Sequence, residues 1–394
     1  MLKNAFIPYR GYYSTPFCKW QGSLANENSI ILGGQTGKRW FEEKGFDKNM
    51  VEYLYLGLTI GQEKVFFGAT QVANHMGLRV PGQTVMHACA TSTTTLYNAS
   101  LAVDNGDWQT TYCVLADRCS NSPHTVWPDP KGPGGKVRSE NWFMDNLTDP
   151  ATGEGTLDTA ERVAGENGFT REEADELSVV RYQQYTDALK NDREFQKKYM
   201  FPVELQTRKK TLLIEEDEGP RKSTREGLAH LNPVMEGGIH TFGGQTHPAD
   251  GNAGIIIATR EKSLELSADR NIPVQVITYS CTRTQKKGYM PVAATDAVKI
   301  ALDKTGLTIG DIKTLKTHNP FVVNDLYLAK ELGIAAEEFN NYGSSLIYGH
   351  PQGPTVARLL IEAIEETVLK GGGYALVTGC VGGDTGASIL VKVG

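Results

Sequence analysis

Residues 346–393 read LIYGHPQGPTVARLLIEAIEETVLKGGGYALVTGCVGGDTGASILVKV, and the order of textures in this stretch decides the fold. A Gly/Pro loop carrying His350 leads into an amphipathic helical pattern. Glycines 371–373 stop that pattern, and an apolar strand opens on Tyr374. A glycine-rich turn holding Cys380 and Gly382 separates this strand from a last one, ASILVKV. Residues 85–119 use the same grammar: VMHACATS is a strand entering a loop with Cys89, TTTLYNASLAVDNG a helix, and TTYCVLADRCS an apolar strand. In both stretches the helix ends at glycine and the next strand starts at a tyrosine, Tyr112 or Tyr374. The match suggests an internal duplication of a βαβ-type unit, and so an α/β fold.

Working outward, 394 residues leave room for two or three domains at ~150 residues each. The net charge of −6 lacks the basic excess that nucleic-acid binding needs, which argues against nucleic-acid partners. No apolar run approaches the ~20 residues that span a bilayer, and Met1–Ser14 has no signal-peptide core, so the expected setting is cytoplasmic, with no membrane contact. Six cysteines, at 18, 89, 113, 119, 281 and 380, are too sparse for a disulfide scaffold and form no C-x-x-C pair. Each is expected as a free thiol, and no metal site is read. Residues 117–242 change texture. They hold a Pro/Gly stretch (WPDPKGPGG), a helix capped by Thr170 with Glu173 three residues on, and the basic triplet Arg208, Lys209, Lys210. Such a polar segment is expected to stand outside the apolar core of the flanking units.

Four residues stand where chemistry is plausible. Cys89 lies between a strand and a helix, where the macrodipole and free N–H groups should lower the pKa of a nucleophilic thiol; the alternative is a buried core cysteine. His350 sits in a turn fixed by Gly349 and Pro351, as a base for a thiol across the fold or as a packed turn residue. Cys380 lies among glycines whose N–H groups can face an oxyanion, or is a strand-end cysteine. His318, in KTHNPF, ends a strand before Pro320 and either donates from Nε2 or caps a loop.

Taken together, these words resemble the thiolase family over nearly the whole chain. FIPYRGYYSTPFCKWQGSL is similar to the family's opening, VMHACATSTTTLYNAS to its nucleophile loop, DTAERVAGENGFTREEADELSVVRYQQ to its Thr-Ala-Glu helix and the next, and GGQTHPADGNAG to its Gly-Asn-Ala stretch. YGHPQGPTVARLL resembles Gly-His-Pro-Leu-Gly, and TGCVGGDTG the C-terminal Cys-x-Gly-Gly-x-x-Gly. The resemblance implies a five-layered α-β-α-β-α core of duplicated halves. Residues 1–116, completed by about 243–270, would form the N-terminal half, 117–242 a CoA-binding loop domain and 271–394 the C-terminal half. It implies reversible thiolysis of a 3-ketoacyl-CoA, with coenzyme A as co-substrate. Cys89 would be the acyl acceptor, His350 its base and Cys380 the acid/base at the α-carbon. The N–H groups of Cys89 and Gly382 would form one oxyanion hole, and His318 with a water the other. Arg221, Thr246 and His247 fall at CoA-contacting positions, although Arg221 reads equally as a surface arginine.

Departures from the family pattern carry the substrate question. His247 stands in place of a glycine near the pantetheine channel. Gly155 and Thr156 replace His-Met, which reshapes the acyl pocket, and the His-Pro loop reads GHPQGP. Similar variants among thiolases of aromatic degradation, such as the benzoylsuccinyl-CoA type, imply a bulky or aromatic substrate and a small zinc-ribbon/OB-fold partner subunit beside the family's homodimer. The rivals are a decarboxylating ketoacyl synthase, which also pairs a cysteine with two histidines, and a non-catalytic carrier or scaffold of the same fold. Cys380 and the insertion speak against the synthase, and the complete Cys/His/Cys set against the carrier.

Overall fold

The computed structural model describes residues 1–128, 136–206 and 210–394. Most of the Pro/Gly stretch, and Arg208 and Lys209 of the basic triplet, lie outside the described residues. Nine strands form the path of one mixed sheet: β1 (Phe6–Ile7), β2 (Tyr53–Gly57), β3 (Gly82–Val85), β4 (Thr110–Arg118), β5 (Ala249–Ala258), β6 (Val274–Arg283), β7 (Ile312–His318), β8 (Gly373–Val381) and β9 (Thr385–Val393). Their order is β7-β8-β9-β6-β1-β5-β4-β2-β3. β2 runs parallel to both β3 and β4, and β5 pairs antiparallel with β4 from Asp250↔Arg118 to Ala258↔Thr110. In the other half β7 is parallel to β8, while β9 is antiparallel to β8 and β6. The two-residue β1 pairs with β5 on one side and β6 on the other, joining the halves. Every residue of β5 is buried, the mark of a strand covered on both faces.

Eight helices matter to the layering: α1 (Ser29–Lys44), α2 (Ala69–Met76), α3 (Thr91–Asp104), α4 (Thr156–Asn167), α5 (Arg171–Ala188), α6 (Met290–Thr305), α7 (Val322–Leu332) and α8 (Pro354–Leu369). α1 and α2 cover the outer face of the first half, and α6, backed by α7, that of the second. α3 and α8 pack on each other and on strands of both halves. The result is the five-layered α-β-α-β-α core, a mixed α/β fold. The expected repeat is present: α3 leads to β4 and α8 to β8, each beside a parallel neighbour and followed in the sheet by an antiparallel one.

Two expectations are corrected here. The pattern of α8 reads as amphipathic, yet Pro354–Thr367 is buried all round, because the helix lies in the middle layer. Its polar residues therefore meet internal partners instead of water. Arg358 makes a bidentate pair with Asp217 at 2.7 and 2.8 Å, and Glu362 accepts from Arg358 Nε at 3.0 Å, Lys316 Nζ at 3.1 Å and the Tyr199 hydroxyl at 2.6 Å. Glu365 accepts from the hydroxyls of Tyr12 and Tyr9 at 2.8 and 3.1 Å. The second correction concerns the polar insertion, which does share the core. Ala174, Leu177, Tyr185 and Ala188 of α5 belong to the same apolar cluster as Tyr12, Val322, Tyr348 and Val356. Short apolar spacings inside a polar segment suffice when one helix face alone is covered.

Candidate active site

β3 ends at Val85, and the chain reaches Cys89 through a backbone twist that few side chains tolerate. Ala88 lies in the left-handed region at φ +43°, and residues 88–90 form a single 3₁₀ turn ahead of α3. Thr91 closes the turn: its hydroxyl donates to the Ala88 carbonyl at 2.7 Å and accepts from the His87 N–H at 2.8 Å. This elbow presents the Cys89 thiol to the seam between the two halves. The lowered thiol pKa expected there is corrected. Burial pushes Cys89 up to about 12, while its own N–H and that of Gly382 pull the other way. Loss of water outweighs these two backbone donors, which favours a thiol that needs a base.

His350 provides one. Its Nε2 lies 3.3 Å from Cys89 Sγ, and its Nδ1 lies 2.6 Å from the hydroxyl of Thr355. When Nδ1–H donates to Thr355, the Nε2 lone pair faces the thiol. Burial, then the neighbouring His318, holds His350 well below the usual imidazole range, which keeps it neutral and able to accept a proton. The loop is pinned from two sides. The His350 N–H donates to the His247 carbonyl at 2.9 Å, and buried Asp117 accepts from the N–H groups of Gly353 at 2.8 Å, Ile60 at 2.7 Å and Thr59 at 2.9 Å.

His318 ends β7, with its ring centroid 4.0 Å from that of His350. The ring is fully buried, and burial takes it down to about 3. Ser345 Oγ lies 2.8 Å from its Nδ1, whereas Nε2 is buried without a hydrogen-bond partner among the described residues. Gly379 faces His318 across the β7–β8 pair, where a Cβ would stand 2.8 Å from His318 Cβ, so the close approach needs glycine. The next residue, Cys380, is raised above the usual thiol range by burial and then by Cys89, and its sulfur accepts from Asn324 Nδ2 at 3.2 Å. It sits in an apolar cluster with Ala160, Met290, Ala294 and Phe321, bordered by Leu157 of α4. Thr156 starts α4 behind Gly155, whose N–H donates to Asp158 at 2.7 Å. The sequence departure at 155–156 thus lies on the element that bounds the second thiol.

Two of the three positions read as CoA contacts, Thr246 and His247, bond to the segments that hold His318 and His350. The Thr246 N–H donates to the Pro320 carbonyl at 2.8 Å and its hydroxyl donates to the Ser345 carbonyl. The His247 ring fills the space at Gly219 and Gly349, where added Cβ atoms would stand 1.9 and 2.8 Å from its Nε2. Burial, then the positive charge of Arg221, lowers His247 to about 4, and Arg221 itself is exposed. Through the His350 N–H, the His247 carbonyl ties this segment to the loop that carries the base.

Sequence reading missed the residues that orient this set. Gln352, at φ +59°, presents Oε1 3.3 Å from Cys89 Sγ and accepts its S–H as an alternative to His350. Thr355, Ser345, Asn324 and Asp117 are the others. Gln352 and Thr355 were within reach of sequence, standing in the His350 loop and the first turn of the helix after it. Ser345, Asn324 and Asp117 gave no signal, since their roles exist only across packed elements. A cavity of about 640 Å³ lined by Asn4, Gln109, Thr259 and Arg270 contains none of the site residues.

A thiol, a neutral imidazole aimed at it, backbone donors and a second thiol, in the seam of a five-layered α/β core, define an acyltransferase. The chain belongs to the thiolase family: the model "Thiolase, N-terminal domain" matches residues 11–261 and "Thiolase, C-terminal domain" residues 272–393. It is 27% identical over 398 residues to an acetyl-CoA acetyltransferase of Yarrowia lipolytica, covering 99% of this chain and 97% of the relative. It is 28% identical to an acetyl-CoA acetyltransferase of Escherichia coli, covering 96% of each. In fold it is similar to the Bacillus anthracis acetyl-CoA acetyltransferase, with TM-score 0.90, 23% identity, and 100% and 99% of the two chains covered. A human mitochondrial 3-ketoacyl-CoA thiolase in complex with CoA gives TM-score 0.90 at 22% identity, with 100% of this chain and 98% of that one covered. The protein is thus an acyltransferase with coenzyme A as co-substrate, of the family that cleaves or forms carbon–carbon bonds by CoA-dependent thiolysis or condensation.

Proposed function

We propose that the chain cleaves a bulky 3-ketoacyl-CoA, of which benzoylsuccinyl-CoA is an example, through an acyl-Cys89 intermediate. The observation that carries the reading is the 3.3 Å approach of His350 Nε2 to Cys89 Sγ in a site that also holds Cys380 and the Gly382 N–H. As Cys89 attacks the keto carbon, its proton passes to His350 Nε2, and the N–H groups of Cys89 and Gly382 receive the developing oxyanion. The carbon–carbon bond breaks to an acyl-CoA enolate, held by His318 Nε2–H when Ser345 donates to Nδ1, and Cys380 protonates its α-carbon. CoA then takes the acyl group, its thiol proton passing to the Cys380 thiolate, while His350 returns the proton that resets Cys89. Arg221, Thr246 and His247 line the CoA approach. The absence of bulky side chains at Gly155 and Thr156 supports the larger acyl group.

The same reading includes a homodimer. β3 is an edge strand, and Phe66, Phe67 and Met86 near it are 93%, 72% and 62% exposed, a patch that a second copy would cover. A small zinc-ribbon/OB-fold partner rests on the family resemblance, and a cytoplasmic setting suits six cysteines that are all unpaired.

Intact-mass measurement after incubation with an acyl-CoA tests the core of the proposal. One acyl adduct is expected on the wild type and none on Cys89→Ala; an adduct that survives that substitution overturns the assignment.

A further inference from the structure

Cys89, His318 and His350 each offer a ligand atom within 4.8 Å of the other two. Tetrahedral zinc, with Zn–S near 2.3 Å and Zn–N near 2.0–2.1 Å, sets its ligand atoms about 3.3–3.7 Å apart. The Cys89 Sγ to His350 Nε2 distance is already 3.3 Å, and Gln352 Oε1, a fourth donor, is also 3.3 Å from the sulfur. His318 offers its ligand atom at no more than 4.8 Å, so binding draws it inward by side-chain torsion. Two further observations point to a cation. His318 Nε2 is fully buried with no partner among the described residues, a cost unless some group meets it. Each imidazole has its other nitrogen against a hydroxyl, His350 Nδ1 at 2.6 Å from Thr355 and His318 Nδ1 at 2.8 Å from Ser345. That is the outer support that fixes tautomer and ring direction in metal sites.

The tautomers are available. Nδ1–H of His350 donates to Thr355. Nδ1–H of His318 donates to Ser345, whose own hydroxyl donates to Asn319 Oδ1 at 3.1 Å. The His350 Nε2 lone pair then faces the sulfur, and the buried His318 Nε2 lone pair is free to bind. If Ser345 instead donates to His318 Nδ1, Nε2 becomes an N–H donor, so one hydroxyl rotation and proton shift divides an oxyanion donor from a metal ligand.

We infer that this site binds one zinc ion through Cys89 Sγ, His318 Nε2, His350 Nε2 and Gln352 Oε1, in a reversible off-state. The ion displaces the thiol proton to the buffer and nothing is oxidised or reduced. It withdraws the nucleophile and its base together, so zinc availability gates acyl transfer. The inference shares residues with the proposed chemistry but does not depend on it.

The test uses the full chain, reduced, treated with chelator and desalted. Cobalt(II) replaces zinc as the probe, because a thiolate on tetrahedral cobalt gives a charge-transfer band. One equivalent of cobalt is expected to raise the band and one of zinc to abolish it, and zinc should protect Cys89 from alkylation as read by peptide mass spectrometry. Cys89→Ser should lose the band. Ser345→Ala, which removes the hydroxyl that holds His318 Nδ1 and also bonds Asn319, should weaken binding about 10–100-fold. No band at stoichiometric cobalt, a band persisting in Cys89→Ser, or equal alkylation of wild-type Cys89 with and without zinc would each overturn the inference. If acyl adducts fail to form on metal-free protein while the cobalt site forms, the catalytic reading fails and the metal site stands.

Discussion

Replacing His318 with alanine separates the two halves of the proposed reaction. In the structure its ring is fully buried, its Nε2 has no hydrogen-bond partner among the described residues and its centroid lies 4.0 Å from that of His350. A buried donor that meets an oxyanion only when the enolate forms acts on the carbon–carbon step alone. Losing one such donor costs about 10²–10³ in rate, or about 2.7–4 kcal/mol. Acylation of Cys89 by a plain acyl-CoA uses the N–H groups of Cys89 and Gly382, so it should fall by less than about tenfold, the share owed to a looser neighbour of His350. Ser345 keeps Asn319 as a partner in the variant, which limits the structural damage to the missing ring. The assay is a pair of rates on one preparation, thiolysis of a 3-ketoacyl-CoA and acyl-adduct formation by mass spectrometry, with a thermal melt beside them. A ratio of the two rates unchanged from wild type, with a lower melting temperature, would refute the reasoning and leave His318 a packing residue.

Cys380→Ser should preserve acylation of Cys89, because His350 serves that step, and slow α-proton exchange of an acyl-CoA by at least about 10²; equal loss of both would make Cys380 structural. Arg221→Ala should raise KM for CoA about tenfold, the low end for a charge-assisted contact at an exposed site, and leave a pantetheine thioester without the nucleotide unaffected. Equal weakening of both substrates would remove Arg221 from the CoA path. Stability should fall as pH drops below about 6.5, since His247, His318 and His350 are held down by burial and the unfolded chain binds protons that the fold refuses. Each contributes a slope of about 1.4 kcal/mol per pH unit until its folded pKa is reached. Asp117, raised to about 7 by burial, works in the opposite direction between its ordinary range and pH 7, as do Asp175, Asp250, Asp296 and Glu365, which burial also raises, while buried His87 adds to the imidazoles. Urea midpoints at pH 7.5, 6 and 5 read the balance, and a profile that is flat or rises as pH falls would refute the net imidazole effect.

What the sequence determined by itself was local. Tyr112 and Tyr374 mark the two strand starts, Thr170 and Glu173 cap α5 as a box, and the glycines after α8 end it where the pattern stops, because turns, caps and period depend on neighbours along the chain. The motif words around Cys89, His350 and Cys380 likewise marked the chemistry-bearing residues. Tertiary structure decided what those residues experience. Whether α8 is amphipathic or buried turns on Asp217, Lys316 and Tyr199, which lie far away in sequence and become its solvent. The thiol of Cys89 looked activated from its place before a helix, yet its pKa is set by the burial that two halves of the chain impose on it. Gln352 and Asp117 act across the two halves, on Cys89 and on the Gly353 N–H, and Ser345 and Asn324 acquire their roles when separate elements of the second half close on His318 and Cys380. Desolvation and hydrogen bonding between distant segments have no period and no motif, so they are legible only in the packed molecule.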